Sequence, residues 1–371
     1  MSDVKLPNLP AMSAGEMVEK LSDLYCNAIR KDYPLRKMPA LMLWGPPGIG
    51  KSQAVRQIGR EIEEKTGKRV RVTEVRLLLF NPIDLRGIPT ANADKTLAVW
   101  LKPQIFQMDA DPSLIHLLFL DELSAAPQSV QAAAYQLILD RCIGEHHLPE
   151  NCIVLAAGNR VTDKSVAFKM PKALANRFLH IEITENFRAW KEWAIRSGIH
   201  EKILGFLSFR PHALMEFDSG SDDLAFATPR SWEMVSNLLH CTKGNIEEMY
   251  PLLAGIVGSG AATEFRTWAK VYQDLPNIED IFSGKEEKIP SGTDALYALT
   301  ASMVSYAKNH KDDLSCIANS IRYAEKLPPD FSAVLLKDYL YIDKDYKQNL
   351  MKLPEFLRWC QTKGQWMNGI V

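Results

Sequence analysis

The amino-acid sequence predicts an α/β fold: a parallel five-stranded sheet with helices on both faces, followed by an α-helical lid and a helical C-terminal extension. Three observations predict it. Short apolar runs alternate with helical ones between residues 39 and 185, the pattern of strands joined by helical crossovers. A glycine-rich turn stands between the first apolar run and the first long helix. Strand patterning fades from Phe187 onward, and helical periodicity takes over.

Residues 1–12 carry Pro and Ser and read as an arm; with the helix that follows, residues 1–38 form an N-terminal arm and helix. That helix runs from Ala14 to about Arg30, with Met17, Leu21, Leu24 and Tyr25 on one face. Lys31–Met38 is a polar connection broken by proline. Ala40–Trp44 is the first buried strand, Lys51–Thr66 a helix closed by Gly67, and Arg69–Arg76 a valine-rich second strand. Ile115–Leu120, Ile153–Ala157 and Leu179–Ile183 complete the sheet, with a helix over Ser129–Leu139 between the third and fourth strands. Arg188–Arg196, Glu201–Phe209 and Arg230–His240 are helical and make a lid over residues 186–245. Residues 246–371 form the helical extension, interrupted at Pro276, Pro290, Pro328 and Pro329.

Composition narrows the function. Of 371 residues, 44 are Lys or Arg and 45 Asp or Glu, a net charge of −1. That balance, and the lack of a basic–aromatic stripe, argue against a nucleic-acid partner. The six cysteines, Cys26, Cys142, Cys152, Cys241, Cys316 and Cys360, show neither C-x-x-C pairs nor zinc spacing, and are expected to be reduced structural thiols. The initial Met-Ser-Asp-Val-Lys lacks a signal pattern and no apolar run approaches membrane length, so the expected location is the cytoplasm, with no membrane segment.

The strongest chemical signal is Gly45-Pro46-Pro47-Gly48-Ile49-Gly50-Lys51-Ser52, which satisfies G-x-x-x-x-G-K-[ST] between a strand and a helix. Glycines let backbone N–H groups curl around phosphates, and the helix start faces the same anion. Lys51 is expected on the β- and γ-phosphates, and the Ser52 hydroxyl on Mg²⁺. The nucleotide is expected to be ATP. Leu117-Leu118-Phe119-Leu120-Asp121-Glu122 is an apolar strand ending in two carboxylates, resembling a Walker B segment. Asp121 is expected to orient Mg²⁺, mostly through water, and Glu122 to polarise the attacking water. Asp84-Leu85-Arg86-Gly87 fits the D-x-x-G of GTPases, but no Asn-Lys-x-Asp follows anywhere, so Asp84 reads as a loop residue.

Three further residues fit an ATP site. Asn159, in Ala156-Ala157-Gly158-Asn159, stands at the end of the strand beside the carboxylates, where its amide would sense the γ-phosphate; the bland alternative is a turn. Arg177, in Leu174-Ala175-Asn176-Arg177-Phe178, precedes the fifth strand, with Arg160 and Arg141 as alternates for the same role and a surface ion pair as the bland alternative. Arg230, in Thr228-Pro229-Arg230-Ser231, opens a helix that Thr228 caps.

In this order, Gly45–Ser52, Leu117–Glu122, Asn159, Arg177 and Arg230 resemble the motifs of AAA+ ATPases. Within them the chain is similar to the MoxR family, on two features. Asn81–Gly87 with Trp100-Leu101-Lys102-Pro103 looks like the hairpin that family inserts in its second helix. Gln136–Arg141, Gly144-Glu145 and Leu148-Pro149 look like its hairpin before the sensor asparagine. The resemblance covers about residues 15–245 and is weak beyond.

It implies a Mg-dependent ATPase that forms a homo-oligomeric ring, commonly a hexamer, in which Arg177 reaches the neighbouring subunit's site and Arg230 serves as a second sensor. It also implies a chaperone activity on a protein client with a von Willebrand factor A domain. The hairpin residues Arg86, Lys102, His146 and His147 would project from one ring face or simply be solvated. The alternatives are a nucleic-acid motor or loader of the same fold, a metabolic kinase, and a regulator that binds ATP without hydrolysing it.

Overall fold

The computed structural model describes residues 9–160, 163, 170–218, 220–242 and 245–363. The first eight residues of the expected arm, residues 161, 162 and 164–169 of the expected core, Ser219, Lys243 and Gly244 of the expected lid, and the last eight residues of the extension lie outside them. The chain divides into two compact units, with the main break between Asn186 and Phe187 and the short stretch 219–221 grouped with the first unit.

The first unit is built on a parallel sheet. Its strands are β1 (Ala11–Ser13), β2 (Ala40–Trp44), β3 (Arg69–Arg76), β6 (Leu114–Asp121), β9 (Cys152–Gly158) and β10 (Phe178–Thr184), in the order β1-β10-β2-β9-β6-β3. Two antiparallel hairpins stand apart from it: β4 (Ile88–Ala91) with β5 (Ala98–Leu101), and β7 (Cys142–Ile143) with β8 (His146–His147). The helices are α1 (Ala14–Arg30), α2 (Lys51–Thr66), α3 (Pro82–Arg86), α4 (Gln128–Leu139) and α5 (Lys172–Ala175).

The sheet has six strands rather than the expected five. The addition is β1, cut from the expected arm and paired in parallel with β10 through Ala11↔Glu182, Met12↔Ile183 and Ser13↔Thr184. Three residues are too few to display a strand period, so backbone pairing alone defines this edge. Ser13 ends β1 and caps α1: its Oγ accepts from the N–H of Glu16, and Glu16 returns a carboxylate to the N–H of Ser13 at 2.9 Å.

Side chains alternate across the sheet and are buried on both faces. On β6, Leu118 and Leu120 pack with Val130, Ala134 and Leu137 of α4. Leu117 points the other way, toward α2, where a Cβ on Gly59 would come within 3.3 Å of it. This double burial explains why the inner strands read as continuous apolar runs.

Asp84 does not lie in a loop. It is the third residue of α3, and its carboxylate accepts from the N–H of Asn81 at 2.7 Å, so the D-x-x-G match is a helix cap. His146 is not merely solvated either: its Nε2 lies 2.9 Å from the Trp100 carbonyl oxygen, joining the two hairpins.

The second unit is helical: α6 (Phe187–Ser197), α7 (Glu201–Phe209), α8 (Pro229–Cys241), α9 (Ile246–Val257), α10 (Ser259–Trp268), α11 (Ile278–Phe282), α12 (Thr293–Asn309), α13 (Leu314–Ala324), α14 (Pro329–Tyr339), α15 (Lys344–Leu350) and α16 (Pro354–Lys363). One hydrophobic core runs through it, from Trp190 and Trp232 to Tyr339 and Trp359. No helix among the described residues is long and apolar enough to cross a membrane, and the six cysteines are free.

Candidate nucleotide site

Parallel pairing brings three strand ends to one edge of the sheet. Trp44 pairs with Gly158, and Leu120 with Ala156, so the chain leaves β2 at Gly45, β6 at Asp121 and β9 at Gly158 side by side. Ligands of open α/β sheets bind at such carboxyl ends.

Gly45–Gly50 forms the turn from β2 into α2. Gly48 and Gly50 have φ of 76° and 103°, a left-handed backbone that side chains resist. Gly50 is the N-cap of α2, and a Cβ there would meet nothing within 4 Å, so dihedral strain rather than crowding calls for glycine. The sixteen residues of α2 then direct their positive end at this turn.

Lys51 extends back across the loop. Its ammonium donates to the carbonyl oxygens of Gly45 at 2.7 Å and Pro46 at 3.0 Å, and to Asn159 Oδ1 at 2.8 Å. The Ser52 hydroxyl donates to Asp121 Oδ2 at 3.1 Å. Lys51, Ser52, Asp121 and Asn159 therefore form one constellation, as their sequence contexts require.

Glu122 follows directly and has φ of 59°. A left-handed glutamate costs on the order of 1 kcal/mol. Its backbone N–H donates to Asp121 Oδ1 at 2.9 Å, and its carbonyl accepts from Ala125 and Ala126. The tight reversal directs the chain out of β6 directly after Asp121.

Sequence reasoning missed Ser124. Its Oγ accepts from the Asn159 N–H at 3.0 Å and donates to the Asn159 carbonyl at 3.2 Å, holding the asparagine's backbone from both sides. Gly158 is the space that this clamp needs: a Cβ there would lie 2.6 Å from Ser124 Oγ and 2.8 Å from Met42 Cε. A serine three residues past an aspartate carries no spacing signal of its own.

The arginine candidates separate clearly. Arg160 is committed within its own chain, with ion pairs to Asp163 at 2.8 Å and Glu182 at 2.7 Å. Arg141 is buried and donates to the Met38 carbonyl at 2.6 Å, and burial pulls its pKa down. Both are thus bonded within their own chain. Arg177 is exposed in the turn between α5 and β10, and its side chain has no bonded partner among the described residues. Arg230 belongs to the helical unit. It is exposed in the first turn of α8, where Thr228 Oγ1 accepts from the Ser231 N–H at 3.0 Å.

The donor set suits a magnesium nucleotide. The lysine now rests on neutral carbonyl oxygens, which anionic phosphate oxygens would outcompete through stronger charge-assisted bonds. The Ser52 hydroxyl and Asp121 carboxylate supply the hard oxygen ligands Mg²⁺ takes, with water and phosphate filling the rest of its shell. No group of three or more His, Cys, Asp and Glu side chains placed to hold a metal by themselves occurs among the described residues.

Comparison with known proteins agrees with this geometry. Residues 40–180 match the ATPase family associated with various cellular activities (AAA). No curated protein matches the chain in sequence. Among solved structures, it is similar to a point mutant of Thermotoga maritima RuvB at 18% identity, covering 79% of this chain and 83% of that one with a TM-score of 0.35. A putative ATPase from Cytophaga hutchinsonii matches at 15% identity, over 87% of this chain and 97% of that one, with a TM-score of 0.33. C. elegans PCH-2 matches at 14%, over 77% and 67%, with a TM-score of 0.33. These likenesses are too distant to carry an activity across. The family match over residues 40–180, the parallel sheet and the glycine turn agree on the P-loop NTPase fold of AAA+ proteins for this region.

Proposed function

We propose that this chain hydrolyses Mg·ATP in a homo-oligomeric ring and uses the cycle to remodel a protein client. The observation that carries the reading is the constellation of Lys51, Asn159, Ser52 and Asp121 at one sheet edge.

The roles follow from charge and reach. Backbone N–H groups of Gly48, Ile49 and Gly50 and the Lys51 ammonium bind the phosphates. Ser52 and Asp121 hold Mg²⁺, which when bound neutralises phosphate charge. Glu122 accepts the proton of the attacking water. Asn159, clamped by Ser124, orients that water and reads the γ-phosphate. Arg177 is exposed, and in this reading it acts on the nucleotide of the next subunit. Arg230 acts as the second sensor from the helical unit.

The finer reading is a MoxR-like chaperone of the cytoplasm, commonly hexameric, whose client carries a von Willebrand factor A domain. It is supported by the two hairpins, the first of which exposes Ile88, Leu97 and Leu101. A shared site makes specific ATPase activity fall on dilution, as subunits separate. Activity proportional to concentration down to nanomolar chain would contradict the ring. For the client, Glu122→Gln protein charged with ATP is expected to retain von Willebrand A domain proteins and release them on exchange to ADP. Equal retention in both nucleotides would contradict nucleotide-driven remodelling.

A further inference from the structure

His180 connects the phosphate turn to the arginine turn. The indole N–H of Trp44, the residue before Gly45, donates to His180 Nδ1 at 2.9 Å. With Nδ1 accepting, the neutral ring carries its proton on Nε2. That nitrogen lies 2.7 Å from the carbonyl oxygen of Ala175, the last residue of α5. Both ring nitrogens are therefore bonded, in one tautomer and one orientation.

The ring is also flanked by aromatic neighbours. Its plane lies at 17° to that of Trp44, with centroids 6.0 Å apart, and the Phe178 ring stands 5.7 Å away at 56°. Asn176 and Arg177 stand in the chain between Ala175 and His180, so the imidazole closes the turn that presents Arg177. A helix as short as α5 has carbonyls without helical partners, and the imidazole satisfies the last of them.

The other end of this bond chain starts where ligand binding acts. Lys51 holds the carbonyls of Gly45 and Pro46, one and two residues beyond Trp44. If the lysine turns to a phosphate, those carbonyls lose their cation and the root of the loop changes its partners.

We propose that His180 is a positioning residue that couples the phosphate turn of a subunit to the orientation of its own Arg177. Nucleotide in one site would thereby set the reach of that subunit's arginine into the next site. The inference rests on the reading that Arg177 acts on a neighbouring subunit. It adds the path by which that action depends on the nucleotide state.

The test is steady-state hydrolysis by full-length parent, His180→Phe, Arg177→Ala and His180→Phe/Arg177→Ala chains, with ATP affinity and melting temperature measured beside it. His180→Phe is expected to lower kcat about tenfold with ATP affinity unchanged, and to add nothing further in the Arg177→Ala background. Trp44→Phe keeps an aromatic ring at the position while removing the N–H donor. It is expected to lose rate in the same direction. It also carries the comparison if His180→Phe fails to fold. The inference is overturned if the His180→Phe loss recurs in full in the Arg177→Ala background, since the imidazole would then act independently of the arginine. It is also overturned if Trp44→Phe keeps the parent rate. An unchanged rate for Arg177→Ala alone would overturn the shared-site reading itself, and this inference with it.

Discussion

The Lys51 ammonium and the Asn159 side-chain oxygen meet at 2.8 Å across the carboxyl edge of the sheet, although 108 residues separate them in the chain. The bond joins the residue that would grip phosphate to the one that would sense it. It also holds the lysine over the glycine turn through Gly45 and Pro46.

Lys51→Ala removes the side-chain cation that reaches over the turn. ATP affinity is expected to fall by about 100-fold, the scale for truncating one member of a desolvated charge pair. Equilibrium titration with a fluorescent ATP analogue measures it. Helix α2 is expected to remain folded, because its buried face of Ala54, Val55, Ile58 and Ile62 is untouched.

Gly158→Ala tests the clamp on Asn159. The new methyl would overlap Ser124, whose hydroxyl is fixed by two bonds to the Asn159 backbone. Overpacking of this kind costs about 1–3 kcal/mol. Chemical denaturation is expected to show that loss, with hydrolysis reduced as the asparagine shifts. Gly158→Ala with Ser124→Gly is expected to recover stability but not the rate, because the clamp is gone.

Acid sensitivity is expected in the helical unit. Burial, with His240 and Lys202 nearby, pushes the His200 pKa down from 6.5 to about 4. The folded unit thus keeps the ring neutral while the unfolded chain protonates it. Below pH 6.5 the unfolded state binds the extra proton, so stability falls as pH drops from about 6.5 to about 4. His200 also caps α7, accepting from the Lys202 N–H at 3.2 Å. His200→Asn keeps a capping acceptor and is expected to flatten that part of the pH dependence, measured by urea denaturation from neutral pH down through this window.

Where the fold was legible, local chemistry and long-range structure agreed. Gly67 has φ of 70° at the end of α2, and a glycine after a helical stretch announces that stop. The glycine turn, Asp121 and Asn159 were readable because each follows an apolar strand, and parallel strands deliver their ends to one edge. What was hidden is set by pairing rather than pattern. β1 exists because β10 offers an open edge, and its three residues hold no period. Ser124 and Arg160 are defined by partners 35 and 22 residues away, which no spacing announces. Arg160, an alternate to Arg177 in the sequence, is held by ion pairs to Asp163 and Glu182.

The central claim is that Glu122, left-handed at the end of β6, activates water for attack on a nucleotide held by the glycine turn. The most direct measurement is single-turnover phosphate release by Glu122→Gln beside the parent chain, with ATP binding measured on the same preparations. The account predicts binding within about threefold of the parent and release slowed by about 10²–10⁴-fold, the scale of general-base catalysis. Release at the parent rate, with ATP bound, would contradict it.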